Sequence, residues 1–251
     1  MNLDSIVQYM TDWLKEQVGK TKASGVVIGV SGGVDSAVAA VIAKRAFPRG
    51  CLAVLLPIES YMLDRKDSTV LVEKFDIPYE IAELDNVYHL LLTQLESHIK
   101  VEGKLGQLIR GNLKARLRML TLYYFAQAHN YLVLGTTNKS EISIGYTTKF
   151  GDSAVDLQLL GDLLKSEVFE IARYLQIPRA IINKPPSGGL WAGQTDESEM
   201  GITYQQLDSF LSTKKGDPEV VNKVQRMFEV SEHKRRMPLI CKIPEEIKWG
   251  N

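Results

Sequence analysis

A doubly wound α/β fold, a five-stranded parallel sheet flanked by helices, is the architecture this sequence predicts. Three observations predict it. Short apolar runs alternate with longer stretches of helical spacing along the chain. The runs at 26–30, 51–56 and 131–134 are apolar almost without a break, as strands covered on both faces are. The first ends in a glycine-rich turn, Gly29-Val30-Ser31-Gly32-Gly33-Val34-Asp35-Ser36, the kind of strand-to-helix junction that holds anions.

In order along the chain, Ile6, Val7, Met10, Trp13, Leu14 and Val18 fall at helical spacing and predict a helix over 5–18. A strand follows at 26–30, then an alanine- and valine-rich helix over 37–47, stopped by Pro48 and Gly50. A second strand at 51–56 stops at Pro57. A helix over 64–75 and a third strand at 79–84 come next, and Asp85 caps a helix reaching 99. The longest helical pattern, 105–129, aligns Leu105, Leu108, Ile109, Leu113, Leu117, Leu120 and Tyr124, with Gly111 as an interior cost. The fourth strand, 131–134, runs into Gly135-Thr136. A loop at 145–153, a short fifth strand at 155–160 and a helix over 166–175 follow. Prolines and Ser187-Gly188-Gly189 make 177–193 a mobile loop, before two last helices near 203–211 and 218–233. In a right-handed, Rossmann-like winding, the glycine turn and Thr136 then face one crevice at the carboxyl ends of the strands.

Composition narrows the function. The chain has 251 residues, 45% of them hydrophobic and 24% charged, as expected of one globular domain over 1–251. Lys+Arg 30 balances Asp+Glu 30, so no global field recruits nucleic acid or an anionic membrane. No run has the length of a membrane span, and Met1–Ser5 has no signal-peptide character. Cys51 and Cys241 make neither a disulfide framework nor a metal knuckle, which predicts a cytoplasmic protein with reduced thiols.

The glycine turn carries the chemistry. Its glycines let backbone amides approach an anion, and the helix that follows adds its positive end. Ser31 and Ser36 offer hydroxyls. Asp35 is out of place beside phosphates unless a cation lies between, and Mg²⁺ bridges carboxylate and pyrophosphate oxygens well. The Gly-Lys-Ser/Thr of a nucleoside-triphosphate hydrolase is missing, as is Gly-x-Gly-x-x-Gly. The pattern points to ATP cleaved to AMP and pyrophosphate. The plainer alternative is a tight turn with an N-cap serine.

The Ser-Gly-Gly-x-Asp-Ser motif resembles the pyrophosphatase loop of the ATP-pyrophosphatase superfamily, whose fold is adenine nucleotide alpha hydrolase-like. Further segments resemble those of NAD synthetases: Arg110-Gly111-Asn112-Leu113-Lys114-Ala115-Arg116-Leu117-Arg118-Met119, Gly135–Glu141, Gly145–Asp152 with Asp156, Lys184–Ser187, Asp196-Glu197, Gly201–Tyr204 and His233-Lys234-Arg235. They occur in order from about 25 to 240. Ser187 stands where many members have threonine, Ser153 replaces a common glycine, Leu55 an arginine, and Pro57–Asp64 an acid-rich segment.

This resemblance implies an ammonia-dependent NAD synthetase, in which deamido-NAD, ATP and ammonia give NAD, AMP and pyrophosphate. It implies that Gly29, Val30, Ser31, Gly32, Gly33, Val34, Asp35 and Ser36 cradle pyrophosphate, with Thr136, Lys165 and Ser187 also on ATP. Asp35 and Glu141 would hold Mg²⁺, Asp35 and Lys165 would be catalytic, and Arg116, Lys149, Asp156, His233 and Lys234 would bind deamido-NAD. It also implies a homodimer formed partly through the long helix around Arg116. Read without the resemblance, Glu141 is an exposed acid in a helix's first turn, Thr136 an N-cap, Lys165 a solvated lysine and Arg116 part of a solvated basic face. Lys149 and Asp156 make a local ion pair, and His233–Arg236 a basic helix end.

A fused glutaminase would need a cysteine nucleophile and considerable added length, so free ammonia is the simplest nitrogen source. Other ATP-pyrophosphatases, tRNA-modifying or GMP-forming, would want a basic RNA surface, catalytic cysteines or a dimerisation domain. A nucleotide sensor without turnover would have no need of Asp35, Glu141, Lys149 and Lys165 together.

Overall fold

The computed structural model describes residues 1–59, 62–191 and 193–250. Ser60 and Tyr61 in the segment that departs from the family pattern, Ala192 in the proline-rich loop, and Asn251 lie outside the described residues.

The strands are β1 (Val26–Gly29), β2 (Cys51–Leu55), β3 (Tyr79–Ile81), β4 (Leu132–Gly135) and β5 (Leu157–Gln158), all parallel, in the order β3-β2-β1-β4-β5. Val26 pairs with Cys51 on one side and Leu132 on the other, so β1 is central. The outer strands are shorter than the sequence predicts. β3 is exposed and ends at Ile81, and β5 keeps only two residues of the expected 155–160. Edge strands have one neighbour, and short ones present fewer open backbone groups.

The helices are α1 (Leu3–Gly19), α2 (Val34–Ala46), α3 (Met62–Lys74), α4 (Asp85–Glu96), α5 (Gly103–His129), α6 (Lys139–Ile144), α7 (Lys165–Tyr174), α8 (Arg179–Ile182), α9 (Asp196–Met200), α10 (Tyr204–Thr213), α11 (Pro218–Val230) and α12 (Glu245–Trp249). A 3-10 turn covers Glu232–Lys234. Helix α2 starts at Val34, three residues before the sequence places it, because Gly33 supplies an extended N-cap (φ −91°, ψ 160°) straight out of the turn. Helix α5 ends where Asn130 turns left-handed at φ 56°.

Alternate residues of β1 feed two cores. Val26 and Ile28 meet Leu14, Ile42, Val168 and Ile171 on one face. Val27 meets Tyr88, Leu117 and Val133 on the other. A third cluster, with Ile144, Met200, Ile202, Tyr204 and Leu207, fastens α6 to the C-terminal helices. Each fully buried aliphatic side chain contributes roughly 1.5–3 kcal/mol. The predicted apolar face of α5 divides. Leu113 and Leu117 pack in the core, while Leu105, Leu108, Ile109, Leu120 and Tyr124 are exposed.

Candidate active site where the strand order reverses

Connections leave β1 toward β2 and β4 toward β5, in opposite directions across the sheet, so the turns after β1 and β4 open one crevice between them. Gly32 has φ +79°, a conformation that favours glycine, and an added Cβ would stand 2.8 Å from the Asp64 carbonyl. Ser36 Oγ donates to Gly33 O (3.0 Å) and accepts from Ser31 N (3.2 Å). The Ser31 hydroxyl lies 3.1 Å from that of Ser36 and accepts from Gly33 N (3.3 Å). The two serines thus hold the shape of the turn. Asp35 falls in the first turn of α2, where the helix dipole favours its charge.

After β4 the cap of α6 is Asn138, not Thr136. Asn138 Oδ1 accepts from Glu141 N (3.1 Å), and its own N–H donates to Glu141 Oε2 (3.2 Å), a reciprocal capping box. Its Nδ2 donates to Asp35 Oδ1 at 2.8 Å. One fully buried amide therefore ties the two acids together.

Lys165, the first residue of α7, completes the group. Its Nζ donates to Asp35 Oδ2 (2.6 Å) and Glu141 Oε1 (3.1 Å), with 3% of its side chain exposed. It is no solvated lysine, and Glu141, at 14%, is no exposed acid. Burial disfavours the Lys165 ammonium, but Asp35 and Glu141 outweigh it and hold the group charged well above the usual lysine range. Burial pushes Glu141 up to about 7; Lys165 opposes this, while Asp35 and Asp196 add to it.

Residues the sequence reading gave no role surround this group. Tyr204 lays its ring 4.9 Å from Lys165 Nζ. Its hydroxyl faces Asp196 Oδ2 (2.8 Å) and Glu141 Oε1 (3.1 Å). The Tyr146 hydroxyl lies within hydrogen-bond distance of both the Asp196 and the Glu199 carboxylates. Tyr146, Asp196 and Tyr204 lie in segments that the family resemblance picks out without giving them a role, and Asn138 also shows the Asn-x-x-Glu spacing of a capping box.

The proline-rich loop lies against the glycine turn. Lys184 Nζ donates to Gly32 O (3.2 Å), Asp64 (2.8 Å) and Asp67 (2.5 Å). Further on, Lys114 reaches out from α5 to donate to Leu190 O (2.7 Å) while pairing with Glu59 (2.7 Å). Ser187 is exposed in this loop and accepts from Gly189 N at 3.1 Å.

Of the residues expected on the second substrate, Arg116, Lys149, His233 and Lys234 gather around one loop, and Asp156 stands apart from them. Arg116 is exposed and donates to Lys149 O (3.2 Å). Lys149 Nζ stands 3.4 Å from His233 Nδ1. The partners of Asp156 are Val133 N (2.8 Å) and the Tyr123 hydroxyl (3.3 Å), in place of the local pair with Lys149. Lys234 Nζ donates to Gly145 O and Thr147 O, both at 2.7 Å, and so fastens the loop that carries Lys149. Ser153, in place of a common glycine, donates from Oγ to Thr148 O (2.9 Å) within that loop. The basic stretch of α5 is not one solvated face. Arg116 points outward, Lys114 is buried, and burial lowers the Arg118 guanidinium to about 10 as its Nε donates to Leu56 O.

Asp35 and Glu141 converge on one ammonium with hard carboxylate oxygens, a donor set suited to Mg²⁺. One or two carboxylates are what Mg²⁺ takes from a protein where phosphates and waters fill the rest of its shell. No helix among the described residues is long and apolar enough to cross a membrane.

Comparison with known proteins gives the family. The NAD synthase family model matches residues 6–238. The NH(3)-dependent NAD(+) synthetase of Syntrophomonas wolfei is 60% identical over 248 residues, 99% of this chain and 100% of that one. Among solved structures, the NMN synthetase from Francisella tularensis matches with a TM-score of 0.91 and 38% identity over 97% of this chain and 100% of that one. The NH3-dependent NAD synthetase from Campylobacter jejuni matches with a TM-score of 0.79 and 30% identity over 96% and 100%. With a lysine-free glycine turn, two bridged acids and relatives of this identity along nearly its whole length, the chain belongs to the NAD synthase family, among its ammonia-dependent enzymes.

Proposed function

We propose that the crevice adenylates the carboxylate of deamido-NAD and passes the activated acid to ammonia, yielding NAD, AMP and pyrophosphate. The observation that carries this reading is the Asp35–Lys165–Glu141 group beside the glycine turn. A carboxylate resists ammonia because oxide is its leaving group. In the first step the substrate carboxylate oxygen attacks the α-phosphorus and the bond to pyrophosphate breaks. In the second, ammonia adds to the mixed anhydride, AMP leaves, and a proton is lost from nitrogen. Positioning and charge neutralisation carry most of the rate.

In this scheme the amides and hydroxyls of Gly29–Ser36, with Thr136, hold ATP. Lys165 follows the charge onto pyrophosphate, and Ser187 reaches the phosphates from its loop. Asp35 and Glu141 would hold Mg²⁺, which would supply charge neutralisation for the phosphates. Arg116, Lys149, Asp156 and His233 take deamido-NAD. Lys234 acts there too, through the loop it fastens.

Residues 1–251 work as a single catalytic domain, in the cytoplasm, using free ammonia. The active form is a homodimer. Supporting this are exposed apolar side chains on two helices in contact with each other, Val87 and Leu90 of α4 and Leu105, Leu108, Ile109, Leu120 and Tyr124 of α5. A fully active monomer in dilute solution would contradict it.

Incubation with ATP, MgCl2, deamido-NAD and ammonium chloride tests the reaction. The expected products are NAD, AMP and pyrophosphate, and ADP with phosphate would refute the reading of the turn. The high structural match to an NMN synthetase adds a competing acceptor, the mononucleotide of nicotinic acid. Running both acids in parallel decides between them by kcat/KM.

A further inference from the structure

Helix α10 touches the catalytic group at two places one turn apart. Tyr204 and Asp208 are four residues apart and so share a face of the helix. Tyr204 reaches the Glu141 carboxylate and the Lys165 ammonium. Asp208 reaches the backbone that carries them. Its Oδ2 accepts from Ser166 N at 2.8 Å, and its Oδ1 accepts from the Ser140 hydroxyl at 2.5 Å. Ser140 Oγ in turn accepts from Lys165 N at 3.0 Å. Asp208 is 6% exposed, Ser140 0% and Lys165 2%.

We propose that Asp208 and Ser140 form a clasp that fixes Lys165 and Glu141 relative to each other, and that both are positioning residues for the reaction. The first amides of a helix have no partner within it. In α7 the first two, from Lys165 and Ser166, are satisfied by Ser140 and Asp208. The residue they lock is the one whose flexible four-carbon stem must deliver Nζ to within 2.6 Å of Asp35. Ser140 is also the immediate neighbour of Glu141 in α6, so one carboxylate, bonded to Ser166 N and to the Ser140 hydroxyl, ties together the two segments that carry the functional residues. Lys139 N donating to Leu163 O (2.8 Å) closes the same seam between α6 and the start of α7. An aspartate suits this place because it accepts two bonds on separate oxygens. An asparagine has a single acceptor oxygen; its amide can meet Ser140 Oγ only as a donor, which reverses that bond and takes the charge out of the clasp.

The inference rests on the roles proposed for Lys165 and Glu141, and the experiment separates the two. Asp208→Asn, Ser140→Ala, Lys165→Ala and the control Ser209→Ala, an exposed neighbour on α10, are compared as full chains. The readouts are kcat, KM for ATP, half-saturating MgCl2, Tm, and the Kd for Mn²⁺–ATP followed by Mn²⁺ electron paramagnetic resonance. A displacement of about 1 Å at a positioned group costs on the order of 10²-fold in rate. The clasp variants are therefore expected to lose roughly 10- to 100-fold in kcat, to need several-fold more MgCl2 and to weaken Mn²⁺–ATP, while Ser209→Ala changes none of these. A merely structural role would lower the folded fraction and leave half-saturating MgCl2 and Kd where they were; that result overturns the clasp. If Asp208→Asn yields no folded protein, Ser140→Ala, which removes one arm only, decides. Full turnover by Lys165→Ala would overturn the role of Lys165 and the clasp with it. Loss of turnover there, with wild-type constants in both clasp variants, overturns the clasp alone.

Discussion

Lys165 Nζ stands 2.6 Å from Asp35 Oδ2. The two residues stand in the first turns of α2 and α7, which pack together on one face of the sheet, and their contact sets where positive charge can rest in the crevice. Asp35→Asn keeps the shape and removes the charge. Turnover is expected to fall by on the order of 10²–10³-fold or more, the scale for removing one preorganised charge-stabilising group. Steady-state rates at saturating MgCl2 check it, and near-wild-type activity would remove Asp35 from the mechanism.

Glu141 carries a pH signature. Burial raises its carboxyl to about 7, and burial also raises Asp152 and Asp196. An acid raised on folding binds a proton that the unfolded chain has released, so stability falls as pH rises from about 4.5 to 7. For the metal-free protein, urea midpoints should drop across that interval, and Glu141→Gln should flatten the slope. An unchanged slope in that variant would assign the effect to other acids.

Gly111 sits inside α5, where alanine would gain about 1 kcal/mol of helix propensity. A Cβ there would stand 3.1 Å from the Trp191 ring and 3.2 Å from Leu190, so the loop tip rests on the bare backbone. Gly111→Ala should hold or raise Tm while lifting the tip. Faster proteolysis between 184 and 195, a shift in Trp191 fluorescence and a several-fold higher KM for ATP are expected. Unaltered proteolysis would show that the tip does not depend on this contact.

The two thiols should differ sharply. Cys51 is 2% exposed, and burial pushes its pKa up to about 12, so its nucleophilic thiolate is scarce near neutrality. Cys241 is exposed. A disulfide reagent at pH 8 should titrate Cys241 at once and Cys51 only on unfolding. Rapid reaction of both would contradict the packing of β2.

What the sequence made legible was local. The apolar runs of β1, β2 and β4 are bounded by glycine and proline, and the glycine turn states its chemistry in adjacent residues. Partners supplied from a distance were illegible. Tyr204, Asp196 and Asp208 reach the crevice from the C-terminal helices, and nothing near them in the chain names Glu141 or Ser140. Lys114 and Arg118 read as solvated because lysine and arginine usually are, yet their long stems turn inward to carbonyls of Leu190 and Leu56. Gly111 registered only as a weakness in α5, since the loop resting on it comes from far along the chain.

Asn138 joins acids carried on either side of the β1–β4 seam. Their spacing comes into being only when that seam has zipped. A nascent or damaged copy holds the two acids apart, so the pair proposed to carry the metal belongs to the closed sheet alone.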